Sequence, residues 1–235
     1  MSDMELGPGF HGLWPTPLGV YRLAGISEFN DSLARELEAI RAEQLEQRRQ
    51  APGSFFASDD DLLQRTKLKG WEPFVRFVVE RIRDTAEQAN TGFWPAQGLR
   101  LEVAIKGMWF QCSNGGAFHD VHTHGNCSWS GVYVVQVDNP QERIRHPVYG
   151  PANGVTRFYG PPFGVLGGAF VDVANAYLQP PHRDVEPVPG QLTIFPSWLA
   201  HQALPYAGTL DRIIISFNAS LHAAGGDRLH EYSAH

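Results

Sequence analysis

Residues 190–218 read GQLTIFPSWLAHQALPYAGTLDRIIISFN. Two runs rich in β-branched and aromatic residues, GQLTIFPS (190–197) and DRIIISFNAS (211–220), read as strands. A Pro–Ser corner and His201 follow the first of them. In an extended chain side chains alternate faces, so Arg212, Ile214, Ser216 and Asn218 share one side of the second run. Ile213, Ile215 and Phe217 share the other. An arginine and a serine on the inner face of a β-barrel are costly unless they meet an anion. A carboxylate suits them, because the guanidinium fork accepts it bidentately. The plain alternative is an acidic partner at the strand edge, such as Asp211.

Upstream, LEVAIKGMWFQCS (101–113) and SWSGVYVVQVD (128–138) read as further strands, with short candidates at Thr156–Tyr159 and Ala169–Val173. The first hundred residues differ. LWPTPLGVYRL (13–23) is an apolar extended arm broken by prolines. A helix is expected from Asp31, as N-cap, to Arg48, with Leu33, Leu37, Ile40 and Leu45 at roughly helical spacing. Residues 51–61 read as a loop. A second helix is expected from Glu72 to Ala89, with Pro73 in its first turn and a buried stripe of Val75, Val78, Val79 and Ile82. Helices first and strands second predict an α+β, mainly β chain with helices packed on a β core. No repeat or linker divides it. Residues 1–235 are expected to form one domain, with helical support over about 26–95 and a β core over about 99–222. The stretch 139–190 is too long for a plain loop and is expected to cover part of the site.

The composition excludes several classes. Of 235 residues, 43% are hydrophobic and 19% charged, which rules out disorder and low complexity. Lys plus Arg number 19 against 25 Asp plus Glu, a formal charge of −6, so a general nucleic-acid footprint is absent. No apolar run approaches the ~18–20 residues that span a bilayer, so no membrane partner is expected. MSDMELGPGF lacks the basic and apolar regions of a secretory signal. The only cysteines are Cys112 and Cys127, and a cytoplasmic location is expected. Their spacing matches no zinc-finger pattern.

The densest chemistry is GGAFHDVHTHGNCSWSG (115–131), where His119, His122 and His124 fall within six residues. If the stretch is extended, Asp120, His122 and His124 point one way and His119 the other. Residues i and i+2 of a strand lie about 6.6–6.8 Å apart at Cα. Imidazoles from two such positions can converge on one ion at about 2.0–2.1 Å per bond. His201, at the end of a distant strand, is the best candidate for a third ligand. Three protein ligands with open positions describe a catalytic site. Asp120 is an alternative to His124 as the completing ligand. His182-Arg183-Asp184 is a second HxD-type candidate, although a Pro-rich exposed turn is the expected reading there.

Taken together, HTHGNCSWSGVYVV, GQLTIFPSWLAHQALPY and DRIIISFN resemble the 2-oxoglutarate/Fe(II)-dependent oxygenase family. The family pattern is HxHPxxxxSGVYYV, then FPSWLxH, then RxSISFN. Gly125, Val134 and Ile214 depart from it at the proline, the second tyrosine and the serine. The opening LWPTPLGVYRL is similar too, and the resemblance is weakest over 139–185. It implies a double-stranded β-helix (jelly roll, cupin-like) with flanking N-terminal helices. It implies Fe(II) bound by His122, His124 and His201, with these three as the catalytic residues. It further implies Arg212 as the anchor for the distal carboxylate of 2-oxoglutarate, with Ser216 and Tyr133 as co-substrate contacts. Such enzymes consume 2-oxoglutarate and O2 and release succinate and CO2.

The expected activity is therefore hydroxylation of a small-molecule or amino-acid-derived substrate, with desaturation and cyclisation open. Trp109, Phe195 and Trp198 are candidates for an apolar wall that excludes water. A homodimer is left open. The rivals are a cupin-like three-histidine metalloenzyme that does not use 2-oxoglutarate, and a non-catalytic jelly-roll binding protein.

Overall fold

Leu33, Leu37 and Ile40, three and four residues apart, place one apolar stripe along a helix, and α1 (Ser27–Arg48) buries all three. The computed structural model describes residues 16–94, 99–160 and 182–224. α1 starts four residues ahead of Asp31, which lies inside it. The reason is tertiary. Asn30 is buried in the first turn, where its Nδ2 donates to the Val135 carbonyl at 3.1 Å. α2 is a single turn, Leu62–Arg65, and α3 spans Trp71–Ala89. The buried stripe of α3 is Trp71, Phe74, Val78 and Ile82, so Phe74 takes the place expected of Val75 and Val79. α4 (Pro140–Arg143) is another short turn, N-capped by Asn139.

The strands are β1 Gly19–Arg22, β2 Phe55–Ala57, β3 Arg100–Ser113, β4 Ala117–His122, β5 Trp129–Gln136, β6 Thr156–Tyr159, β7 His182–Val185, β8 Gln191–Pro196, β9 His201–Tyr206 and β10 Arg212–Ala224. Two expectations change here. The 51–61 segment carries β2, which pairs with the end of β3. His182–Asp184 is not a turn but the edge strand β7, fixed to β6 and tied by an Arg157–Asp184 ion pair at 2.8 Å. The candidate strand Ala169–Val173 lies outside the described residues.

All strand pairs are antiparallel. A major sheet runs β1-β8-β5-β10-β3-β2 and a minor sheet β4-β9-β6-β7. The main core lies between the major sheet and the helices, where Ile213, Ile215, Phe217, Tyr133 and Val135 meet Leu33, Leu37, Phe74, Val78 and Ile82. Smaller clusters lie on the other face. Val134 and Ile214 meet Tyr206, and Phe195 meets Phe158 and Leu199. Gly131 is required for this packing, because a Cβ there would overlap the Phe217 ring. The odd and even residues of one strand thus serve two environments.

Candidate active site

Three imidazoles meet where β4 ends and β9 begins. His122 is paired directly with His201 across the minor sheet. His124 lies two residues beyond β4, and its backbone N–H donates to the Ser197 carbonyl at 2.9 Å. The turn that carries it is braced by side chains. Ser130 Oγ bonds Asn218 Oδ1 at 2.8 Å and Ser197 Oγ at 2.9 Å, and Cys127 Sγ lies 3.1 Å from Ser197 Oγ. One ligating atom from each of His122, His124 and His201 lies within 4.8 Å of the others. Ring centroids are 4.3 Å apart for His122–His201, 5.0 Å for His122–His124 and 5.1 Å for His124–His201.

The tautomers follow from the carbonyls. His122 Nδ1 lies 2.7 Å from the Asp120 carbonyl, and His201 Nδ1 lies 2.9 Å from that of Leu199. With Nδ1–H donating in each, the Nε2 lone pairs face inward. Burial, with the neighbouring rings adding to it, holds His201 down at about 3 and His124 at about 4. The Leu199 carbonyl opposes that fall at His201 without overcoming it. Both rings are therefore neutral at physiological pH, the form that binds a metal. Three imidazole nitrogens, two of them on rings whose tautomers are fixed by backbone carbonyls, fit a borderline divalent ion such as ferrous iron.

The same cleft is lined by Trp109, Gln111, Thr156, Phe195, Arg212 and Ser216. Arg212 is only 3% exposed. Burial pushes its guanidinium down to about 10, so it stays cationic at neutral pH. Among the described residues no carboxylate contacts it. Asp211, the expected edge partner, is held instead by Arg41 at 2.7 Å. Arg212 Nε has no partner, and Nη2 donates only to the Thr156 hydroxyl, at 3.5 Å. A buried cation without a counter-ion is costly, so this end of the cleft fits an anion supplied from outside.

Of the residues singled out in the sequence, His122, His124, His201, Arg212 and Ser216 come to one cleft. Tyr133 does not. Its ring is fully buried on the helix side, edge-on to Phe74, and its hydroxyl donates to Asn30 Oδ1 at 2.8 Å. Asp120 also turns away. It is exposed, and its Oδ1 accepts from the Val121 N–H. His119 reverses its expected direction. β4 places four residues, His119 to His122, against three in β9, Ala203 to His201. This bulge resets the alternation and brings the His119 ring to 4.1 Å from that of His122, inside the cleft. Trp109 and Phe195 line the cleft, whereas Trp198 is 58% exposed at the β8–β9 turn and contributes no wall. Cys112 is buried in the main core, and neither cysteine joins the histidine group. Thr156, Gln111 and His119 went unnoticed as cleft residues. For the first two the only signal was an inward position on a strand whose facing was unknown.

Residues 107–218 match the family model described as "Putative 2OG-Fe(II) oxygenase". No curated protein matches significantly. Similar solved structures include a Pseudomonas putida prolyl-4-hydroxylase, at TM-score 0.50 and 15% identity over 86% of this chain and 92% of that one. A second is a Trichoplax adhaerens prolyl hydroxylase in complex with a hypoxia inducible factor oxygen degradation domain peptide fragment. It aligns at TM-score 0.51 and 12% identity over 87% and 84% of the two chains. A third is HygX from Streptomyces hygroscopicus with nickel and 2-oxoglutarate bound, at 0.52 and 12% over 87% and 83%. At these identities the likeness shows the fold, a double-stranded β-helix.

Proposed function

Residues 107–218 match the family model of 2OG-Fe(II) oxygenases, and from that premise we propose that this chain is such an oxygenase and hydroxylates a small-molecule or amino-acid-derived substrate. The net reaction takes substrate, O2 and 2-oxoglutarate to hydroxylated substrate, succinate and CO2. His122, His124 and His201 would hold the iron. Ferrous iron bound there supplies the redox chemistry that couples O2 reduction to decarboxylation of the keto acid.

The chain's own residues do the rest. The Asp120 and Leu199 carbonyls hold the Nδ1 protons of His122 and His201, so each ring offers one nitrogen in one orientation. Arg212 binds the distal carboxylate and thereby admits the keto acid in one direction. Ser216 stands on the same strand face, nearer the Trp109 end, and offers a hydroxyl to the bound acid. Phe195, Val132 and Ile214 line the cleft and exclude water from the reacting centre. The helices packed on the major sheet support reading 1–235 as one catalytic domain. Two free cysteines suit a cytoplasmic setting.

One observation carries this reading: three imidazoles converge in the same cleft as a buried arginine that, among the described residues, no carboxylate contacts. A three-histidine metalloenzyme that does not use 2-oxoglutarate would leave that arginine unexplained. The test is anaerobic reconstitution with Fe(II), then exposure to O2 and 2-oxoglutarate. The expected result is about one equivalent of iron bound and slow succinate release even without primary substrate. Bound iron with no succinate under any condition would favour the rival metalloenzyme, and failure to bind iron would favour a binding module.

A further inference from the structure

We propose that the Ser130 hydroxyl and the Asn218 amide are positioning groups for the third ligand, holding His124 in place through Ser197. The proposal rests on the reading that His122, His124 and His201 bind one ion. The three rings are not held alike. His122 and His201 stand in paired strands, and each has its Nδ1 at a backbone carbonyl. His124 has neither support. It lies in the turn between β4 and β5, two residues before Asn126 at a positive φ of 57°. Among the described residues its only ring hydrogen bond joins Nε2 to His201 Nε2, at 3.3 Å. What fixes His124 is its backbone, whose N–H donates to the Ser197 carbonyl at 2.9 Å.

Ser197 is in turn fixed by a buried chain of hydroxyls. Ser130 and Ser197 are each 1% exposed. Ser130 Oγ donates to Asn218 Oδ1 at 2.8 Å, which commits its only proton. Ser197 Oγ must then donate to Ser130 Oγ, at 2.9 Å, and its lone pair faces the Cys127 thiol at 3.1 Å. The direction is set at Asn218, because an amide oxygen only accepts. The three residues come from segments far apart in sequence: the end of the histidine-rich stretch, the Pro–Ser corner and the last strand. Backbone bonds join the same segments, from the Ser197 N–H to the Ser128 carbonyl and from the Ser128 N–H to that of Ala219, each at 3.0 Å. Buried hydroxyls are costly unless bonded, and none of these three side chains lines the cleft. Their use therefore lies behind the ligand. Without the Ser130 hydroxyl, Ser197 Oγ and Asn218 Oδ1 lose their shared partner, and the corner that supplies the acceptor for His124 loosens.

The test loads the full-length protein with Co(II) and reads it in two ways. Titration gives the metal affinity, and proton NMR gives the hyperfine-shifted ring signals, one set for each ligating histidine. Ser130→Ala should weaken Co(II) binding about tenfold to a hundredfold, the scale for an outer partner of a metal ligand. It should also displace or broaden the His124 signals while those of His122 and His201 stay in place. Asn218→Ala, at a half-buried position, should give the same pattern, and it carries the test if Ser130→Ala fails to fold. Unchanged Co(II) affinity, unchanged His124 signals, or three sets that move alike, as a general loosening of the fold would produce, would overturn the proposal. His124→Ala separates the two levels. If it weakens Co(II) binding while Ser130→Ala and Asn218→Ala do not, the positioning role alone is wrong. If His124→Ala binds Co(II) as tightly as the unaltered protein, His124 is no ligand, and the three-histidine reading falls and takes this proposal with it.

Discussion

The two faces of the β5–β10 pair share a backbone and almost nothing else. On the helix side, Tyr133, Val135, Ile213, Ile215 and Phe217 form a dry core in which the one hydroxyl is matched by Asn30. On the cleft side, Arg212 and Ser216 are buried and, among the described residues, have one side-chain partner between them, the Thr156 hydroxyl. The helix-side face has its hydroxyl matched within the chain, and the cleft-side face leaves a buried cation for a ligand. Unmatched buried polarity is expensive in a stable fold, so the contrast separates the face that holds the molecule together from the face that works.

The largest expected effect is at the working face. His201→Ala should abolish iron binding, read as metal stoichiometry after anaerobic reconstitution, with the fold retained by circular dichroism. A variant that still fills with iron would remove His201 from the site.

Acid should next expose the cost of the buried rings. His201 and His124 titrate at about 3 and about 4 when folded, against an ordinary 6.5. The unfolded chain therefore binds more protons between these values, so stability is full above pH 6.5, falls as pH drops below it and levels off only once pH has passed about 4 for His124 and about 3 for His201. The urea midpoint of the metal-free protein should decline across that window, less steeply in His201→Gln. Equal slopes for the two proteins would contradict this assignment.

Tyr133→Phe probes the structural face. It leaves Asn30 Oδ1 without its donor and should cost about 1–3 kcal/mol of unfolding free energy, with 2-oxoglutarate affinity unchanged. Weakened co-substrate binding would blur the division between the faces. The smallest effect belongs to Asp120→Asn, on the exposed side of β4. Stability should shift by less than about 0.5 kcal/mol and iron stoichiometry should hold, whereas His124→Ala should lower it. The opposite pattern would make Asp120 the ligand.

These predictions also measure how far local pattern carries. The strands at 156–159, 191–196 and the start of β10 lie where composition and alternation place them. α1 begins early because Asn30 is fixed by β5, a contact 105 residues away in sequence. β7 replaces an expected turn because β6 offers it a partner. Tyr133 shows a subtler limit. Alternation in SGVYVVQV puts Tyr133 and Val135 together and Val132 and Val134 opposite, but does not say which pair faces the helices. His119 shows another, since a bulge in one strand becomes visible only against its partner.

By itself, then, the sequence determined which residues could do the chemistry and how they alternate: the HxH pair, the distant His201, and Arg212 with Ser216 on one strand face. Residue type and a period of two are properties of the chain alone. Only the tertiary structure decided which face looks into the cleft, that His119 turns inward, that Asp211 belongs to Arg41, and that Thr156 meets Arg212. Those outcomes depend on register and on the packing of one sheet against another. Both are set by contacts between segments tens of residues apart, which local periodicity does not encode.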